Sequence, residues 1–173
     1  MKSKFWFYIT LLLSCWLGIP VAQAGNLNWI INGKAEHLGK PVDGTTSRFN
    51  ENNWGFGFQY DYDLIDHKWL PFVTASGFSD SLHNPSFYGG GGYLRRYRVG
   101  IPAGHFLNLD VGGILFLMTR EDFMHNNPFP GVLPVLSVGS DKVAVNITYI
   151  PKVHPKLVPL WFFQLKVSSS LFQ

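Results

Sequence analysis

The chain has 173 residues, enough for one domain with a real core and too short for two comfortable ones. Fourteen Lys and Arg stand against 11 Asp and Glu, a formal charge of +3, which is too small and too scattered to make nucleic acid a partner. Aromatic residues make up 16% of the sequence and charged ones 14%, so the folded chain either hides a large apolar surface or shows it to lipid.

The N-terminus reads as a leader. Lys2 and Lys4 precede an apolar run from Phe5 to Ile19, and Ala22-Gln23-Ala24 supplies the small residues of a cleavage site, so residues 1–24 are expected to be a signal peptide and Gly25 the first residue of a single domain over 25–173. The alternative is a lipoprotein box at Leu12-Leu13-Ser14-Cys15, with Cys15 acylated. Cleavage after Ala24 removes the only cysteine and leaves 12 basic against 11 acidic residues. Stability must then come from packing or from a membrane, without a disulfide. No apolar run of 18 or more residues follows Ala24, which argues against a helical span.

Beyond the leader, period-two alternation predicts strands in turn. The first covers 29–38 and closes on His37. The second, 53–62, carries Trp54, Phe56, Phe58, Tyr60 and Tyr62 on one face and Gly55, Gly57, Gln59 and Asp61 on the other. Strands at 69–76 and 87–97 follow. The fifth is HFLNLDVGGILFLMT, with Leu107, Leu109, Val111, Leu115 and Leu117 alternating with Asn108, Asp110 and Gly112. Strands at 133–139 and 143–150 precede the last, in which Trp161, Phe163, Leu165 and Val167 alternate with Gln164 and Lys166. Frequent Gly and Pro leave no room for long helices.

Eight strands with one greasy and one small or polar face predict an all-β fold, an eight-stranded antiparallel transmembrane β-barrel of the outer membrane, closed so that every backbone group is paired. A soluble lipocalin-like barrel is the competing reading, with the opposite sense of alternation. The connections at 39–52, 77–86, 120–132 and 151–158 are long and polar, and those at 63–68, 98–104 and 139–142 shorter, so the first set is expected to face outside. That brings His37 and the Asp80, Ser81 and His83 of GFSDSLHNP to one rim. The inward parity of Gly55, Gly57, Gly90, Gly92 and Gly112 suggests a slot in the barrel, or merely permits its coiling.

Four blocks carry a resemblance: NENNWGFGF at 50–58, GFSDS at 77–81, LPVLSVG at 133–139 and NITYIP at 146–151. With these the chain resembles the outer-membrane lipid A palmitoyltransferase family (PagP-like). The resemblance implies a barrel that moves a palmitoyl chain from the sn-1 position of a glycerophospholipid donor to a hydroxyacyl chain of a lipid A acceptor, with no cofactor and as a monomer among outer-membrane lipids. It implies catalytic roles for His37, Asp80 and Ser81, an acyl-chain ruler at Gly92 or Gly90, a lateral entrance at Pro134 and Pro151, and an outer-loop arginine at Arg120. Asn32 and Asn53 stand where the family has the prolines of a second opening. Proline cannot donate to a ladder, so Pro134 and Pro151 facing each other would open a seam, although each also suits a strand end.

Acyl transfer needs a base and an oxyanion donor. His37 is the expected base, with Asp80 orienting it or stabilising the imidazolium, and Ser81 donating a hydrogen bond; Ser81 has no Gly-x-Ser-x-Gly elbow to mark it as a nucleophile. His83 is the competing imidazole. His67, His105, His125 and His154 lack metal-ligand spacing, so no metal is expected. A barrel that binds lipid without turnover, or a phospholipase or esterase using water as acceptor, would carry the same residues.

Overall fold

The computed structural model describes residues 25–40, 48–102, 105–152 and 158–172. The expected leader, with Cys15 and the cleavage point after Ala24, lies outside the described residues, as does His154. The strands are β1 Asn26–His37, β2 Asn52–Asp61, β3 Trp69–Ser79, β4 Pro85–Ile101, β5 His105–Thr119, β6 Phe129–Gly139, β7 Val143–Ile150 and β8 Leu160–Ser168. Each pairs antiparallel with the next and β8 pairs with β1, closing the barrel. All eight predicted strands are present. The differences lie at their ends, where β3 runs on through Gly77–Ser79, β4 reaches Ile101 and β6 starts at Phe129, so that loops at 77–86, 98–104 and 120–132 shrink to 80–84, 102–104 and 120–128.

The two faces follow the sequence's period of two. Trp54 on β2, Leu115 on β5 and Val132 on β6 are 65%, 63% and 72% exposed, while their neighbours Asn53, Gln59, Asp61, Asn108 and Asp110 are buried in the lumen. A wall of exposed aromatic and aliphatic side chains around polar contents is the arrangement that hydrocarbon stabilises and water does not. Among the described residues no helix is long and apolar enough to cross a membrane, so the strands carry this band. On β1 the band stops at Gly33, because Lys34 and Glu36 are exposed and Lys34 pairs with Glu51 at 4.0 Å.

The lumen is filled unevenly. One apolar cluster, Ala35, Leu160 and Phe162, lies towards the end that bears the long loops; another gathers Leu70, Phe72, Leu94, Ile114, Phe116 and Val135. Between the strands run polar links: Asn32 donates to Ser76 Oγ at 2.6 Å, and Gln164 donates to Asn32 Oδ1 at 2.6 Å and to the Tyr88 hydroxyl at 2.8 Å. The opposite end is charged and paired. Lys166 Nζ meets Asp61 Oδ2 at 2.8 Å, and Arg96 forks onto Asp110 with two 2.8 Å bonds while also reaching Asp141 at 2.9 Å.

One irregularity positions the functional end. On β1 the pairing with β8 steps from Asn32↔Gln164 to Ala35↔Phe162, three residues against two. The extra residue reverses the side on which later side chains fall. Asn28, Ile30 and Asn32 point inward on even numbers; after the bulge Ala35 is buried and His37 follows on the same side.

The Lys166–Asp61 pair yields a test. Lys166→Ala strands a buried carboxylate and is expected to lower unfolding stability by about 3 kcal/mol. The double change Asp61→Asn with Lys166→Met should recover most of that loss, measured by urea titration in detergent micelles.

Candidate functional site

The mouth at the long-loop end is assembled by three segments. β1 delivers His37, the loop 38–51 returns Phe49 and Asn50, and the turn 80–84 joins β3 to β4. His37 Nε2 lies 2.8 Å from Ser81 Oγ, a hydrogen bond between residues 44 apart in sequence. Phe49 stacks on the imidazole with ring centres 4.1 Å apart and planes 17° from parallel, shielding it from water. His37 Nδ1 is buried without a partner. Either tautomer satisfies the bond to Ser81, and the two differ in whether Nδ1 offers a lone pair or a proton. A buried polar atom left unpaired costs about 1–3 kcal/mol.

Asp80 sits beside this pair but does not orient the imidazole. Its carboxylate, fully buried, accepts from the backbone N–H groups of Leu82 at 2.8 Å and Asn84 at 2.9 Å through Oδ1, and from Ser86 Oγ at 3.3 Å through Oδ2. These bonds fold the turn, as aspartates do when they bond backbone two residues on. The expected Asp80–His37 contact is thus replaced by an indirect one: Asp80 shapes the turn that presents Ser81. Asn50 ties the loops together, donating its side chain to the Asp80 carbonyl at 2.9 Å and its backbone N–H to the Ser81 carbonyl at 2.8 Å. Sequence reasoning missed Phe49, Asn50 and Ser86; Asn50 opens the NENNWGFGF block, which carried the resemblance but assigned Asn50 no role.

Arg120 forks onto Asp122 with two 2.9 Å bonds and brings Nε within 4.0 Å of Asp80 Oδ2. It therefore offsets a buried negative charge next to the mouth. His83, the competing imidazole, is exposed; its φ of 67° turns the chain, and its backbone N–H bonds the Asp80 carbonyl at 3.1 Å. Its side chain makes no hydrogen bond to His37 or Ser81. His37 lies above the apolar band, and its pKa falls below the ordinary 6.5, chiefly because burial disfavours the cation; Glu51 raises it and Arg120 lowers it further. The neutral, basic form therefore persists to lower pH than in a solvated histidine.

Below the mouth lies an apolar cavity of about 70 Å³, walled by Phe78, Phe162, Ile150, Phe116, Ile114 and Phe72 among others. Gly90 and Gly92 share its strand neighbours: Gly90 pairs with Thr74 and Phe116, and Gly92 with Phe72 and Ile114. Here β4 presents no side chain, and Leu94, almost fully buried, lies one inward step beyond Gly92. A Cβ on Gly92 would run into the Gly113 carbonyl.

The barrel wall has a gap beside this cavity. The β6–β7 ladder runs from Gly139↔Ala144 only to Val135↔Thr148, although β5–β6 continues to Met118↔Phe129 and β7–β8 to Ile150↔Leu160. Pro134 occupies the first rung past the ladder's end and Pro151 follows the last residue of β7. They do not face each other. Extending the register sets Pro134 opposite Tyr149, so the prolines are staggered, each removing a donor from a separating strand. On the other side β1 and β2 remain laddered up to Lys34↔Asn52 across an irregularity, and Asn32 and Asn53 turn their amides inward to Gly77 and Ser79 carbonyls at 3.1 and 2.7 Å.

Residues 23–164 match the family described as "Antimicrobial peptide resistance and lipid A acylation protein PagP". Curated relatives named "Lipid A acyltransferase PagP" include that of Bordetella pertussis, 34% identical over 103 residues, covering 60% of this chain and 54% of the relative. That of Methylobacillus flagellatus is 34% identical over 105 residues, covering 60% and 53%, and that of Dickeya zeae 31% over 112, covering 63% and 48%. The chain thus spans about half the length of these relatives. Among solved structures, Ail, the attachment invasion locus protein of Yersinia pestis, aligns over 86% of this chain and 98% of its own with a TM-score of 0.39 and 10% identity.

The electrostatics of the mouth are open to direct measurement. The His37 ring should titrate below 6.5 by NMR of its Cε1 proton, Arg120→Gln should raise that midpoint, and Glu51→Gln should lower it.

Proposed function

The chain belongs to the PagP family, and from that premise we propose that it is an acyltransferase of the cell outer membrane, moving a palmitoyl chain from the sn-1 position of a glycerophospholipid to a hydroxyacyl chain of lipid A. The observation that carries this reading is the 2.8 Å His37–Ser81 pair held at the mouth of an apolar cavity in a barrel with a greasy outer wall. In this scheme the donor slips its acyl chain through the gap between β6 and β7, past Pro134 and Pro151, into the cavity. Its ester then rests at the rim beside His37.

His37 is the general base. Held neutral by burial, it takes the proton of the acceptor hydroxyl as that oxygen attacks the ester carbonyl, and returns it to the departing lysophospholipid oxygen. Ser81 is the hydrogen-bond donor to the developing oxyanion once the acceptor engages the imidazole. Asp80 and Arg120 act one step back, the first by folding the turn and the second by balancing Asp80's charge. Gly92, with Gly90 above it, is the position at which the chain's end is set, where β4 presents no side chain to the cavity's neighbours Phe72 and Ile114. The same mouth would serve hydrolysis if water replaced the acceptor; the apolar surroundings and the gap to lipid favour a lipid acceptor.

Lipid A extracted from cells that express the chain should gain one palmitoyl group by mass spectrometry, and His37→Ala should reduce that product by about 100-fold or more. Persistence of the product in the His37→Ala strain would remove His37 from the chemistry. The rate should fall as pH drops through the depressed His37 pKa, so the acid limb of the profile belongs below 6.5. Gly92→Ala should shift transfer towards shorter chains; the readout is the ratio of acyl lengths, because the clash with the Gly113 carbonyl also lowers yield.

A further inference from the structure

At the end of the barrel away from the mouth, a cation stands on the outer, apolar wall. Arg95 belongs to the outward row of β4, between Tyr93 and Tyr97, and all three are exposed. It forms the last rung of the β3–β4 ladder, opposite Trp69, and faces Val111 of β5 on its other side. Its guanidinium lies 5.8 Å from the centre of the Trp69 ring and 5.3 Å from that of Tyr97. The next residue, Arg96, points inward and is held by Asp110 and Asp141. Arg95 pairs with no carboxylate among the described residues, although Asp63 and Asp66 lie on the neighbouring turn.

A charge on the lipid-facing wall is costly at the middle of the hydrocarbon and nearly free at its edge. Trp and Tyr likewise collect at that edge. Arg95 with its rings therefore marks the level at which hydrocarbon gives way to headgroups. The rings hold the guanidinium by cation–π contact while leaving its planar fork of donors unpaired. A fork of that shape fits two oxygens of a phosphate group, and the apolar wall beside it offers a bed for acyl chains.

We propose that Arg95, buttressed by Trp69 and Tyr97, binds the phosphate of a glycerophospholipid in the leaflet opposite the mouth, with the lipid's chains lying along the wall over Tyr93 and Val111. The site is separate from the acyl-transfer centre and rests on the membrane placement proposed above, not on the transfer chemistry.

The test uses the full chain refolded in detergent, its barrel verified by heat-dependent gel mobility, with phosphatidylglycerol added and retained lipid counted by native mass spectrometry. Arg95→Leu is expected to bind the lipid roughly tenfold more weakly than wild type, the order of one charge-assisted contact, and Arg95→Lys to fall between. Trp69→Leu, which keeps the charge and loses a ring, should also weaken retention and stands in if Arg95→Leu fails to fold. Equal retention by Arg95→Leu, or by Trp69→Leu where it stands in, would overturn the proposal. So would an Arg95-dependent effect of inorganic phosphate as strong as that of the lipid, since the site would then be a simple anion site. A wild-type chain that stays dispersed without detergent would overturn this site and the membrane placement together, whereas loss of transfer with lipid retention intact would count only against the chemistry.

Discussion

A backbone amide that faces hydrocarbon has no water to fall back on, and each one left unpaired costs several kcal/mol, about as much as a marginal domain can lose. The closed ladder from β1 round to β8 answers that demand, and most other features follow from it. Closure with only eight strands makes a narrow tube. Its inward side chains must fill the lumen, and whatever is polar among them must find partners there. The Asn32–Ser76 and Gln164–Tyr88 links and the charged pairs at the far end do so. The place where the ladder stops, past Val135↔Thr148, is accordingly informative: prolines at 134 and 151 reduce the number of donors exposed by the separation.

The two ends of the tube use their polar groups differently. At the far end the charges are neutralised in place, Lys166 by Asp61 and Arg96 by Asp110 and Asp141. Buried atoms without a partner occur at both ends, His37 Nδ1 and Asn53 Oδ1 at the mouth and Ser137 Oγ beside the far-end charges. Asp80, at the mouth, has its carboxylate bonded within its own turn and so contributes rigidity to Ser81.

Much of this was legible in the sequence because a lipid-facing strand alternates so strictly. In residues 53–62 the period of two separates Trp54, Phe56 and Phe58 from Gly55, Gly57 and Gln59, and no tertiary detail can move them without exposing one set to the wrong solvent. Strand number and sense of alternation were therefore available from pattern alone. What pattern cannot see is a change of parity. Strict alternation through the inward Asn32 would send His37 into the wall, and only the extra residue between Asn32 and Ala35 returns it to the lumen. Nor does composition distinguish an aspartate that orients a histidine from one that caps its own turn, since the two differ by the direction of a single side chain. The stagger of Pro134 and Pro151 escaped for a related reason: facing residues depend on register, which is fixed by pairing far from either proline.

The bulge and the Asp80 turn solve one geometric problem between them. His37 ends its strand and would be free to swing with the loop 38–51, while Ser81 lies on a turn between two other strands. Their 2.8 Å separation requires both to be fixed independently. β1 fixes the first through its ladder to β8, which continues to His37↔Leu160, and Phe49 clamps the ring. Asp80 fixes the second, and Asn50, bonded to the carbonyls of both Asp80 and Ser81, couples the loop that carries Phe49 to the turn that carries Ser81. The clamp and the turn thus share Asn50 as a common tie. A pair held in this way has its spacing set by supports on both sides, which a dyad built on two free loops would lack.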